Sequence, residues 1–306
     1  MRYRILSYVC VGMLAVGLPL LADAQVVLVR DADAITIKLP TEKQIQQAKE
    51  WTTELEKKAR QIAPKLQKME MSHFYLFSAL DNKAADKLFL QMAENMYSDL
   101  CEQFDADPDG VWLDKCPIFA FKTHPQYVAF LRTLDFDKEE LKGLQKTSGL
   151  AWYSDDGRVC IILSKAKSAV AFNDILVHEG THAFMARFLT TRCIPAWVNE
   201  GFAEHMCEML VRDSTTRTRR QATEKQALAG KGNYRLVFGE DWRGGISFDY
   251  GIAHSIVRYM IRKDNKAFGE FVKLLKQGKP EEEALKTAYD TDREGLLKGW
   301  RATVGK

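Results

Sequence analysis

The chain has 306 residues, 46% hydrophobic and 28% charged, the composition of a chain that buries a sizeable core and far from disordered, collagen-like or coiled-coil sequences. Its 44 Lys and Arg against 41 Asp and Glu leave a formal charge of +3, too balanced for a nucleic-acid partner or a polybasic membrane patch. The only long apolar run lies at the N-terminus, which excludes a multi-span membrane protein.

That run reads as a targeting segment. Arg2 and Arg4 precede an apolar stretch from Ile5 to Leu21 broken by Gly12, Gly17 and Pro19, and Ala22-Asp23-Ala24 has the small-x-small pattern of a signal-peptidase site. This order predicts export, with residues 1–24 removed as a signal peptide, Gln25 as the mature N-terminus and no stable membrane span after cleavage. The other reading is an uncleaved anchor. The protein is then expected to be periplasmic or secreted. Without Cys10, the cysteines of the exported chain are Cys101, Cys116, Cys160, Cys193 and Cys207. An odd number cannot all pair within one chain. Cys101 with Cys116 and Cys193 with Cys207 are the candidate disulfides, against the reading that most of these residues are small buried hydrophobes.

Residues 26–39 alternate as a strand through Val27, Val29, Ile35 and Ile37, and Thr41 opens a polar helix that Pro64 ends or kinks after about Ile62. Ser72 to Ser78 reads as an aromatic strand. Lys83 to Phe104 has helical periodicity through Leu88, Met92, Met96, Tyr97 and Leu100, and Asp105 to Gly110 is a turn cluster. Pro117 to Lys122 is expected to be a strand and Pro125 to Leu134 a helix. Leu150 to Tyr153 and Arg158 to Leu163 form a hairpin across Asp155-Asp-Gly157. From Phe172 onward only helices are predicted, at about 172–190, 196–212, 216–229, 249–263, 266–276 and 281–289, with a short last one. The class is α+β: a strand and polar helix at 25–69, a sheet lobe at about 70–167 and a helical lobe at about 168–306.

The first helix of the second lobe carries His178-Glu179-Gly180-Thr181-His182, the pattern H-E-x-x-H. Histidines at i and i+4 project from one helical face, within reach of a single Zn2+, and the intervening Glu can meet a water at that ion. Ile175 to Val177 and Ala183 to Met185 flank the motif, so these polar side chains sit in a helix otherwise built for burial, where unpaired His and Glu would cost several kcal/mol. A catalytic zinc wants a third protein ligand. His73, His124, His205 and His254 do not stand at the short downstream spacing of the three-histidine variant, where Met185 and Phe188 are found. The better third ligand is Glu200, within Pro195-Ala-Trp-Val-Asn-Glu-Gly-Phe-Ala-Glu204, on a helix that would run antiparallel to the first. Glu204, one turn on, could hold a ligating histidine by its distal ring N–H. The competing reading makes Glu200 and Glu204 a solvated helix face.

On these residues the sequence resembles the gluzincin metallopeptidases, particularly bacterial proteins with a peptidase MA-like domain. H-E-G-T-H at 178–182 and P-A-W-V-N-E-G-F-A-E at 195–204 carry the match, the latter resembling that family's W-x-x-E-G-x-A-E segment. Less specific similarity spans roughly residues 70–265. The resemblance implies a zincin, thermolysin-like fold with the motif helix between a small mixed sheet and a helical lobe. It also implies one zinc per chain held by His178, His182 and Glu200, and Glu179 as general base. The G-x-M-E-N segment by which related aminopeptidases hold a free amino terminus is absent, which speaks against aminopeptidase activity.

An oxyanion donor is also needed. Tyr250 and His254, at i and i+4 on a later helix, are the candidates, against a core tyrosine and a capping or surface histidine. The basic stretch from Arg212 to Arg243 is read as a solvated helix surface, or else as a loop facing acidic peptides or envelope anions. Two functions follow: an exported zinc peptidase acting on a peptide or protein substrate, or a non-enzymatic envelope protein that binds peptide or scaffold partners on the same fold.

Overall fold

The computed structural model describes residues 35–154, 156–226, 228–229, 237–239 and 247–304. The expected signal peptide, its cleavage site and most of the strand predicted over 26–39 lie outside them. The described part of that strand makes a single antiparallel bridge, Thr36 to Thr190.

Thr41 accepts from the backbone N–H of Gln44 while Gln44 reaches back to the Thr41 N–H, a capping box that starts helix α1 (Glu42–Ile62). There follow β1 (Gln67–Glu70), β2 (Phe74–Ser78), α2 (Lys83–Phe104), α3 (Pro108–Val111) and β3 (Cys116–Phe121). Next come α4 (His124–Leu131), α5 (Lys138–Leu144), β4 (Gly149–Tyr153) and β5 (Val159–Ser164). The rest is helical: α6 (Ala169–Arg187), α7 (Ala196–Leu210), α8 (Thr216–Gln226), α9 (Ser247–Lys263), α10 (Asn265–Lys276), α11 (Glu281–Tyr289) and α12 (Arg293–Arg301). The sheet begins at Gln67, ahead of the lobe boundary expected at 70.

The fold is α+β around one mixed five-stranded sheet in the order β1-β2-β3-β5-β4. The central β2, β3 and β5 run parallel, and β1 and β4 close the two edges antiparallel. β3 and β5 are buried throughout, as befits parallel strands covered on both faces. One face, with Phe77, Phe119, Phe121 and Ile162, packs against α1 and α4 through Leu55, Ala59, Tyr127 and Phe130. The other, with Leu76, Ile118, Ile161 and Leu163, meets α2 and α6 and continues into the core of α7, α9 and α10 through Phe104, Phe184, Phe202 and Phe268. α6 is thus buried between sheet and helical lobe. Among the described glycines of that lobe the closest approach to another backbone is at Gly201 of α7, where a Cβ would lie 2.5 Å from the Ala253 carbonyl oxygen of α9.

All five described cysteines are free thiols, so neither candidate disulfide forms. Four are buried in the core and Cys193 is half-buried. Among the described residues no helix is long and apolar enough to cross a membrane.

Candidate metal centre

α6 starts where the Ser168 hydroxyl accepts from the Ala171 N–H, and two turns later its motif reaches the level of the sheet edge. α7 starts after Pro195, whose carbonyl accepts from the N–H groups of Val198 and Asn199. The chain between them is pinned by Ile37, whose N–H donates to the Leu189 carbonyl, and by Thr191, whose N–H donates to the Ile35 carbonyl. This connection lays Glu200 against both histidines.

His178 Nε2 and His182 Nε2 are 3.1 Å apart, and Glu200 Oε2 lies 3.4 Å from the first and 3.5 Å from the second. The two rings stand nearly perpendicular, at 85°. His182 and Glu200 are each 2% exposed. A tetrahedral ion with bonds of about 2.0–2.1 Å holds neighbouring donors roughly 3.3 Å apart, so this triangle fits three of the four corners of such a site. Two imidazole nitrogens and one carboxylate oxygen suit zinc or a neighbouring divalent transition metal. Burial works against charge on Glu200 and His182, but their attraction wins: Glu200 is held well below the usual carboxylate range by His182 and His178, and His182 is raised by Glu200.

Glu179 reaches toward the sheet edge beside the trio. Its Oε2 accepts from the Ala151 N–H of β4 at 2.9 Å, which fixes the carboxylate's orientation, and burial pushes its pKa up against the pull of His178 and His182. Gly149 of β4 makes room for it, since a Cβ there would sit 2.8 Å from Glu179 Cγ. Beside His182 a small pocket is lined by Tyr153, Met185, Arg192, Cys193 and Asn199.

Glu204 lies 3.8 Å from His178 Nδ1, in ion-pair range but beyond a hydrogen bond. Its chief partner is Arg220 of α8, which grips both carboxylate oxygens and, against the cost of burial, holds Glu204 at about 2. Tyr250 is buried with its ring 5.1 Å from the Arg220 guanidinium. His254 stands in a different group, its Nε2 2.8 Å from Glu208 Oε2.

The expected ligand trio, the Glu between the histidines and Glu204 are therefore brought together, whereas His254 is not part of that trio. The sequence did not single out three contributors: Asn199 next to Glu200, the Ala151 amide, and Arg220. Arg220 falls in the basic stretch read chiefly as solvated, yet it is 7% exposed. The buried stripe of α8 is Thr216, Arg220 and Glu224, at a helical spacing of four but wholly polar, so apolar periodicity could not reveal it.

No protein-family model matches the chain, and no curated protein matches it. The class defined by fold and site is an α+β protein with a buried His2Glu cluster positioned to hold a metal ion.

Proposed function

We propose that the protein is an exported zinc metallopeptidase of the gluzincin type on a zincin, thermolysin-like fold. The observation that carries this reading is the convergence of His178, His182 and Glu200 within 3.5 Å of one another, with Glu179 anchored beside them on an edge strand. His178, His182 and Glu200 would hold zinc, and Glu204, locked by Arg220, would steady His178 from behind. Zinc, when bound, supplies a Lewis acid for the scissile carbonyl and acidifies water. Glu179 acts as general base, taking a proton from the attacking water and passing it to the leaving amine. A ligand set needs no such carboxylate, so its presence favours an enzyme over the envelope scaffold.

β4 is an edge of the sheet, and an extended peptide could pair along such a strand beside the trio. Tyr250 is the proposed oxyanion donor, since His254 stands in a separate group with Glu208 and His205. The reading is tested by incubating the mature protein with a peptide library, with chelator and after zinc is restored. Cleavage that stops with chelator and returns with zinc supports it. A zinc-loaded protein that cleaves nothing overturns it in favour of the scaffold, and zinc retained in full by His182→Ala overturns the ligand assignment.

A further inference from the structure

A second cluster of ligand-type side chains lies deeper in the helical lobe. His205 and Glu208, one turn apart on α7, face His254 of α9, and each of the three offers a donor atom within 4.8 Å of the others. They meet because Gly201 lets α9 come into backbone contact with α7 one turn earlier. His205 is 8% exposed, His254 is 1% exposed, and the Glu208 side chain is 6% exposed.

Two features set this group apart from an ordinary buried ion pair. First, the His205 Nδ1 atom is buried without a hydrogen-bond partner, an arrangement that costs free energy unless something fills it. Second, His254 Nε2 and Glu208 Oε2 lie 2.8 Å apart, yet neither makes a hydrogen bond of acceptable alignment. The three donor atoms converge within 4.8 Å, and an ion among them would draw His254 Nε2 and Glu208 Oε2 from 2.8 Å toward the roughly 3.3 Å between neighbouring ligands. The other oxygen of Glu208, Oε1, is ion-paired with Arg217 Nε at 2.7 Å, which leaves Oε2 toward the histidines.

We propose that His205, Glu208 and His254 form a second metal site, for zinc or a neighbouring divalent transition metal, that fastens α9 to the helix carrying Glu200. Two imidazoles and one carboxylate select that class of ion over Mg2+ or Ca2+, which want oxygen ligands. Arg217 and, at 3.9 Å from Oε2, Arg258 reduce the local negative potential, so this site should fill after the one on α6. The proposal stands on its own residues and does not require peptidase activity.

The test is equilibrium dialysis of the full chain against zinc, with bound metal read by atomic emission. The expected result is two zinc per chain for the parent, one for His205→Ala and one for His182→Ala, with none for the double variant. Glu208→Gln, which keeps the shape of the side chain, should also hold one and reports on the site if His205→Ala fails to fold. A parent that saturates at one zinc, all of it removed by His182→Ala, overturns the second site. So does retention of two by Glu208→Gln. Conversely, a single zinc that His205→Ala removes and His182→Ala does not would uphold this site and overturn the proposed catalytic one.

Discussion

At the middle of α6, His178 and His182 bring their donor atoms within 3.5 Å of each other and of Glu200 on α7, and around the C-terminal end of α6 Arg187 and Lys276 are buried as deeply. The two regions treat buried polarity differently. Arg187 donates to the carbonyls of Val111 and Gly157, and Lys276 Nζ donates to those of Met185 and Arg192 at 2.6 and 2.5 Å. Those cations end on backbone acceptors that would otherwise lack partners, so their arrangement is complete in itself. At the motif, two rings and a carboxylate turn electron-rich atoms toward one another, which is favourable only with a proton or a metal ion among them. Buried charge alone therefore does not mark a site. Convergence of lone pairs does.

The largest effect expected from this contrast is at Glu179. Glu179→Gln keeps size and shape but cannot accept a proton, so turnover should fall by roughly 10² to 10⁴ while zinc content stays. Parent-like turnover in a zinc-loaded variant would remove Glu179 from the chemistry. Next comes Arg220→Met, which removes the chief partner of the buried Glu204 carboxylate and leaves it Arg219 at 3.6 Å; it should cost about 3–5 kcal/mol in denaturant unfolding. A loss below about 1 kcal/mol would mean that water or another cation takes over at Glu204.

Arg187→Met probes the other region. It leaves the carbonyls of Val111 and Gly157 short of a donor, at about 1–3 kcal/mol each, and zinc stoichiometry should not change. Loss of zinc in this variant would break the distinction between the two ends of α6.

The smallest effect is a pH slope. Burial lowers the Lys276 pKa from 10.5 to about 7, so between those values the unfolded chain binds more protons than the folded one. Stability should therefore rise with pH over that window. Lys276→Met should flatten the rise, measured by urea unfolding at pH 7 and pH 9. An unchanged slope would assign it to other groups.

Elements with strong apolar periodicity were legible to the residue. The helix expected over Lys83 to Phe104 is α2; Met96, Tyr97 and Leu100 of the expected stripe are buried with Leu90, Ala93 and Phe104, but Leu88, read as part of that stripe, is 73% exposed. Two elements without such a pattern, β1 and α5, were missed. β1 is Gln-Lys-Met-Glu with mostly exposed side chains, and it is a strand only because β2 offers it a ladder. α5 is a short charged helix set by the Asp137 capping box. The cysteine pairings suggested by spacing failed because four of the five thiols are held as core residues on different elements.

The sequence by itself determined the α+β class and the nomination of His178, Glu179, His182, Glu200 and Glu204, because i, i+4 spacing on one helix is a local property that survives any packing. Only the tertiary structure decided which of two glutamate neighbours each histidine meets, that Arg220 is buried against Glu204, and that His254 sits with His205 and Glu208. Those contacts join helices separated by long stretches of chain. They are set by how closely backbones approach, at Gly201 against Ala253 above all, and that distance is a result of packing the whole lobe and is written in no local pattern.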